Sequence, residues 1–426
     1  MGTAAPDDIL LLIYDLVAHP APLPWPNAMY DPERAQAPFT LAAICQRWRM
    51  LAVSTAGIWT YFGFPPAWAE HKPHLLRLHL LLARSKEAEV DVVCRWRNNP
   101  DKHHLANYET MGVISSIASR WRNVTLNVPR SFASIFARAF NQQWHCLRYL
   151  SLEYQTQILE LPLAPQLAYL YFEGLECPNS LPDVMPYLSR LSINGDGARQ
   201  TNTLLLSLAH QLTDLCILED VAVSPQQPIL FPRLLSLTVD DVSYLNHIQA
   251  PSLQMLSFNA SRLYYPPDLA PFAYVRHLCL YGHLREPFVS SLRQFTDITQ
   301  LTLEVSDHSK RAWPGIDKYK VYRGFFEALW PSPPNSASAW PRLERIHLGH
   351  PGSTGPEAIT EPQELIDFVA RRNAAYEDSD ETGDVAKLRP ARIQAITVDF
   401  EGASEWLISE LNRVVLLASD ANRSSI

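Results

Sequence analysis

Residue types able to do bond chemistry occur in this chain, but they are not spaced for it. His71 and His74 stand three apart and His103 and His104 are adjacent, yet neither pair has a carboxylate or cysteine at ligand spacing. Zinc needs three or four converging donors. The six cysteines, at 45, 94, 146, 177, 216 and 279, are scattered without a Cys-x-x-Cys, which reads as free thiols in a reducing compartment. No Gly-rich phosphate loop, no Gly-x-Ser-x-Gly and no His-Glu-x-x-His occurs, so no catalytic residue, no metal and no cofactor is expected. What the chain does offer is a set of carboxylates and aromatics at recurring positions: Glu153, Glu173, Asp214, Asp240, Tyr281 and Glu304. Such side chains suit binding of a basic peptide or protein segment, because Tyr is a frequent interface anchor and complementary charge speeds encounter.

The element that must position them is a repeated hexamer, apolar-x-x-apolar-x-apolar. Units begin at Leu147, Leu167, Leu188, Leu212, Leu234, Leu253, Val275 and Ile298, at intervals of 19 to 24 residues, and again at Leu343 and Ile393. One short strand cannot hide its apolar side, but stacked neighbours share a continuous core. Period and motif resemble leucine-rich repeats. That resemblance implies an α/β solenoid, a horseshoe in which each unit gives one strand to the concave wall. Strand alternation then puts the third, fifth and seventh positions of each unit on the concave face, so Cys216 and Cys279, at fifth positions, should point outward. The Asn or Cys that regular repeats carry three residues after the last apolar position is missing, and prolines gather between units. An irregular convex side is therefore expected.

The N-terminal sixty residues read differently. In 7–17, Ile9, Leu12, Ile13, Leu16 and Val17 fall on the stripe of a buried helical face, with Pro6 and the acidic Asp7 and Asp8 at the helix start. Leu10, Leu11 and Tyr14 lie off that stripe. A short helix apolar nearly all round must bury two faces, and a domain of about sixty residues hides only about 60% of its unfolded surface alone. The second face is therefore expected to meet another protein. After a loop with six prolines running to Pro38, the spacing of Leu41, Ile44, Cys45, Trp48 and Ala52 predicts one further amphipathic helix with Cys45 buried, and Ile58-Trp59 closes the bundle.

This order resembles an F-box, the helical module that docks onto a Skp-family adaptor in SCF-type ubiquitin ligases. The matching residues are Pro6, Ile9 and Leu10 in the opening, the Leu-x-x-Ile-Cys-x-x-Trp segment from Leu41 to Trp48, and Ile58-Trp59. Ala5 stands where a leucine is usual. The style is that of F-box proteins with irregular leucine-rich repeats, abundant in mushroom-forming fungi. The resemblance implies adaptor contacts at Pro6, Ile9, Leu10, Ile13, Leu41, Ile44 and Trp48, and through the adaptor a cullin. It implies a substrate-recognition subunit that is not itself an enzyme and holds an unidentified target on its repeats. The other reading is a leucine-rich-repeat scaffold with no ubiquitin role, its N-terminus a cap.

Composition sets the remaining bounds. Net charge is −8 with no basic block, which disfavours nucleic acid or an anionic membrane surface as partner. No apolar run approaches the roughly 20 residues needed to span a bilayer, and no secretory signal is visible, so a cytoplasmic or nuclear protein is expected. Three regions are expected: an F-box-like bundle over 1–62, a mixed α/β connecting and capping region over 63–140, and the repeat array over 141–426. In the second region, 74–84 and 109–120 are helix candidates and 89–96 a strand. The array carries insertions near 307–340 and 351–391, with helix candidates at 319–329 and 361–375 and an acidic loop at 377–384, and a C-terminal helix at 404–418 closes it.

Overall fold

Parallel strands joined by helices and turns make this an α/β protein. The computed structural model describes residues 6–18, 30–64, 71–95, 104–128, 133–154, 161–173, 185–194, 198–218, 227–260, 268–281, 291–304, 325–329, 340–349, 362–377, 390–399 and 405–420. They fall into two compact units, the first running to Leu212 and the second starting at Thr213.

The first unit opens with helices α1 (Asp7–Ala18), α2 (Pro32–Ile44) and α3 (Gln46–Ser54) and a 3-10 turn, Ala56–Trp59. Asp31 caps α2, its carboxylate accepting from Arg34 N at 2.9 Å, and Pro32 fills the first turn where its missing N–H costs nothing. Two expectations fail here. The loop does not run to Pro38: α2 has already begun, and Pro38 sits buried inside it. Nor is 41–52 one helix. Cys45 adopts an extended backbone (φ −157°, ψ 174°) that ends α2 and starts α3, its carbonyl accepting from Arg49 N at 2.9 Å. Apolar spacing identifies helical residues but is blind to one extended residue that re-aims the axis. The re-aimed α3 puts Trp48 against Tyr14, with ring centroids 5.4 Å apart and the Tyr14 hydroxyl donating to the Trp48 carbonyl at 2.8 Å. Cys45 is accordingly exposed. Ile58 and Trp59 are buried as expected, and the Trp59 indole N–H donates to the Ala52 carbonyl at 2.6 Å.

Beyond the bundle the first unit carries β1 (Tyr61–Phe64), α4 (His71–Ser85), β2 (Val90–Arg95), α5 (His104–Ser116), β3 (Trp121–Val128), α6 (Ala133–Phe140), β4 (Tyr149–Tyr154), β5 (Tyr169–Glu173) and β6 (Arg190–Asn194). These six strands pair in parallel in chain order. Helices and a strand at 74–84, 109–120 and 89–96 follow from the sequence; β1 and α6 do not, being too short for periodicity to mark.

The second unit holds β7 (Asp214–Ile217), β8 (Ile229–Leu230), β9 (Ser236–Val239), β10 (Ile248–Gln249), β11 (Met255–Asn259), β12 (His277–Tyr281), β13 (Gln300–Glu304), β14 (Arg345–Gly349) and β15 (Ala395–Asp399). β7, β9 and β11 to β15 pair in parallel in that order, while β8 and β10 form a separate pair. Among the described residues no sheet closes into a barrel. Helices Phe325–Leu329, Pro362–Glu377 and Glu405–Asp420 complete the unit. The expected helix residues 319–324 and the acidic residues 378–384 lie outside the described residues.

Every hexamer yields a strand that starts at its third position. The third positions are in register within each unit: Tyr149, Tyr169 and Arg190 in the first, and Asp214, Ser236, Met255, His277, Gln300, Arg345 and Ala395 in the second. A one-residue slip would turn each apolar pair outward, so pattern fixes register. The structure also lengthens the repeat. Trp144, Ala164, Met185, Phe231, Ala250, Phe272, Phe295 and Trp340, each three residues before a unit, are buried, and for most of them the carbonyl receives the N–H of the unit's first residue. That turn seats the first apolar side chain under the strand. It escapes sequence pattern because residues from Ala to Trp fill it.

Candidate protein-docking surface

Helix α1 buries the face that its sequence assigns elsewhere. Leu10, Tyr14 and Ala18 are the buried residues, whereas Ile9 is 47%, Leu12 61% and Leu16 73% exposed, with Ile13 and Val17 exposed beside them. The stripe expected in the core is the outward one. Both faces are apolar, and periodicity cannot rank two apolar faces; the Tyr14 contact with Trp48 decides, because Tyr14 can bury its ring and still satisfy its hydroxyl there. Five contiguous exposed apolar side chains on one helix are unlike the scattered single leucines of an ordinary surface.

Next to this stripe lies an open groove of about 440 Å³ between α1 and α2, lined by Val17, Pro32, Glu33, Gln36, Ala37, Thr40 and Leu41. Of the residues expected to touch an adaptor, Pro6, Ile9, Ile13 and Ile44 are exposed, and Trp48 is half-buried against Tyr14. Leu10 and Leu41 are 3% and 5% exposed. Leu10 is therefore a core residue, and Leu41 a groove floor. Leu12, Leu16, Gln36 and Thr40 were missed as surface residues and the buried Ala37 as part of the groove lining, though an α1 apolar on nearly all sides was the available signal.

A buried charge network fixes the bundle to the first strands. Asp91 on β2 accepts from Arg122 Nε and Nη2 at 2.9 and 2.8 Å, from Asn123 Nδ2 at 2.9 Å, and from Arg34 of α2. Arg34 also donates to the Ala18 carbonyl at the end of α1 at 2.9 Å and lies 4.4 Å over the Tyr61 ring of β1. Burial by itself would push the Asp91 carboxyl up, but the hydrogen bonds and charges of Arg122 and Arg34 outweigh it and hold it below the usual range.

The expected substrate wall is more tightly bonded than a row of free carboxylates. In the first unit Glu153 and Glu173 are register neighbours; Asn127 Nδ2 donates to Glu153 Oε2 and the Tyr171 hydroxyl to Glu173 Oε2, each at 2.8 Å. In the second unit Asp240 is buried and accepts from Asn259 Nδ2 at 2.8 Å. Asp214 accepts from Thr213 Oγ1 at 2.7 Å, and the Tyr281 hydroxyl donates to the Val239 carbonyl at 3.1 Å. Tyr281 and Glu304 are neighbours at the ends of β12 and β13.

The two fifth-position cysteines, expected to point outward, are covered to different degrees. Cys279 is 7% exposed, among the likewise buried Ser257 and Thr302: strands about 4.8 Å apart leave little room over small side chains flanked by larger ones. Cys216 is half-buried. Burial pushes the Cys94 thiol well above its ordinary range, the reverse of what a nucleophile needs. Among the described residues no three His, Cys, Asp or Glu side chains are grouped to hold a metal ion, and no helix is long and apolar enough to cross a membrane. No model of a known protein family matches this chain, and no curated protein matches it.

Proposed function

We propose that the protein is a substrate-recognition subunit of an SCF-type ubiquitin ligase. Its N-terminal helices dock a Skp-family adaptor, and its strands, read as irregular leucine-rich repeats, hold a target protein. The observation that carries this reading is the outward apolar stripe of α1, Ile9, Leu12, Ile13, Leu16 and Val17, beside the groove floored by Leu41. A helix that commits one apolar face to its own core and leaves another in water has a surface to spend on a partner. The mechanism is proximity: a target tethered near the ligase's catalytic partner meets it at raised effective concentration, with no bond chemistry in this chain. The anchoring of the bundle through Asp91 supports it, since proximity works best when the docking face is rigidly attached to the adjoining strands.

The test is co-purification of the folded full-length chain with a Skp-family adaptor. Stable capture at micromolar concentration is expected, lost in Leu12→Glu/Leu16→Glu. Absence of capture by the folded wild-type chain would overturn the reading.

A further inference from the structure

The second unit's sheet carries a group of cations and hydrogen-bond donors that its apolar pattern does not require. β13 lies between β12 and β14 in matched register, which aligns His277, Gln300 and Arg345 in one row and Cys279, Thr302 and His347 in the next. Strand alternation puts both rows on the same face, with neighbours about 4.8 Å apart across the strands and about 7 Å along them. His277 Nε2 and Thr302 Oγ1 are 2.8 Å apart. Arg345 is exposed, Gln300, His277 and His347 are half-buried, and Thr302 is 5% exposed. The side chains of Gln300, Arg345 and His347 make no hydrogen bond or ion pair among the described residues. Burial, and then the charge of nearby His347, hold the His277 imidazole below its ordinary range. Two titratable rings and a guanidinium thus share these rows of β12 to β14 without a carboxylate. The other titratable residues at these register positions are Cys279 and, in the following row, Tyr281, Glu304 and Asp399; β11 and β15 add only Met255, Ser257, Ala395 and Thr397 to the two rows.

We propose that this face binds an acidic side chain, an aspartate or glutamate, presented by a segment of the held protein. The carboxylate sits over Gln300 and Thr302, between His277 on one side and Arg345 and His347 on the other. Arg345 supplies the planar fork that pairs bidentately with a carboxylate, and one guanidinium satisfies one such group. Gln300 donates its amide N–H, and the histidines donate ring N–H groups. When His277 is protonated its Nε2–H donates to Thr302, which frees the Thr302 hydroxyl hydrogen for the anion. Partly buried charges are screened less than exposed ones. A bound anion favours the charged imidazoles, so binding takes up protons and affinity rises as the pH falls through the histidine range near about 6.5. Most of the carboxylates that suit a basic partner stand at seventh positions; the third and fifth positions of β12 to β14 have the opposite character. The inference rests on the proposed holding role and names what is held: a segment with an acidic residue. The site belongs to the second unit and the α1 stripe to the first, so the two can fail separately.

The test is fluorescence anisotropy of a labelled peptide alternating glutamate and glycine, against the full chain at ~150 mM salt, at about pH 7.5 and about pH 6. The same peptide with glutamine is the neutral reference, and one with a phosphoserine in place of its glutamates is the second anion. Saturable binding of the glutamate peptide is expected, about threefold or more tighter at the lower pH. Arg345→Gln should weaken it by about tenfold or more at both pH values. His277→Gln/His347→Gln should abolish the gain in acid, while the amide at position 277 keeps a group able to bond Thr302. Arg233→Gln removes the same charge from an exposed position of the unit outside these rows and should leave affinity within about twofold. If the histidine variant fails to fold by circular dichroism, Arg345→Gln and the pH response of the wild type decide. Absence of binding by the glutamate peptide, an affinity that does not rise in acid, or a full pH response in the folded histidine variant overturns the proposal. So does unchanged affinity in Arg345→Gln, an equal loss in Arg233→Gln, or binding of the phosphoserine peptide alone. Capture of the adaptor plays no part in the readout, so its failure would leave this result standing.

Discussion

Replacing Leu12 and Leu16 by glutamate separates a docking face from a core face on one helix. The two side chains are 61% and 73% exposed, together about one and a third leucines left in water. Full burial of a leucine contributes about 1.5–3 kcal/mol, so covering this pair with a partner contributes about 2–4 kcal/mol. At about 1.4 kcal/mol per tenfold, their loss weakens binding by about thirtyfold to nearly a thousandfold before any cost of burying the new carboxylates is added. Stability should hardly move, since surface changes stay within about 0.5 kcal/mol. Adaptor affinity by calorimetry and unfolding by urea titration, on the same two proteins, read the two effects independently. A variant that loses a large part of its stability would refute the outward placement of the stripe. A variant that keeps full stability and full adaptor affinity would refute its use as the docking face.

Three further outcomes are expected from the same packing. Leu10→Glu places a charge where a 3% exposed leucine sits and should destabilise the first unit by about 3–5 kcal/mol; a midpoint unchanged in urea would count against the buried assignment. Asp91→Asn should cost about 2–4 kcal/mol at neutral pH, because the partly exposed Arg34 and Arg122 lose a buried partner. Since the folded Asp91 titrates below its unfolded value of about 3.9, this contribution is present above that pH and fades as the pH falls through the depressed folded value. Wild type and variant should therefore converge in stability in acid, as thermal scans from neutral pH down to about 3 would reveal. Lys86, just past the end of α4, holds φ at 49°, a left-handed conformation that glycine adopts without a Cβ penalty. Lys86→Gly should accordingly raise stability by about 0.5–1 kcal/mol, and a loss on chemical denaturation would argue that the lysine side chain contributes more than its backbone costs.

The strands were legible in the sequence. Ten hexamers mark ten strands, and the structure adds their common start at the third position and their register within each unit, because alternation with period two leaves only one phase that buries the apolar pairs. Short elements such as β1 and α6 were not, since four to eight residues give periodicity too little length to stand out. The seating residue three positions ahead of most units was equally hidden. Its side chain varies from Ala164 to Trp340, and what recurs is a backbone turn.

The N-terminal bundle shows where sequence stops. Composition alone determined that α1 is apolar on two sides and must satisfy both, and helical spacing determined which residues share a face. Which face turns inward was decided by tertiary structure: one extended residue, Cys45, re-aims α3 so that Trp48 reaches Tyr14, and Leu10 goes with Tyr14 into the core. A hydrophobic pattern is symmetric under exchange of its two apolar faces. Only packing, which pairs a particular ring with a particular carbonyl, breaks that symmetry and sends Ile9, Leu12 and Leu16 into the solvent.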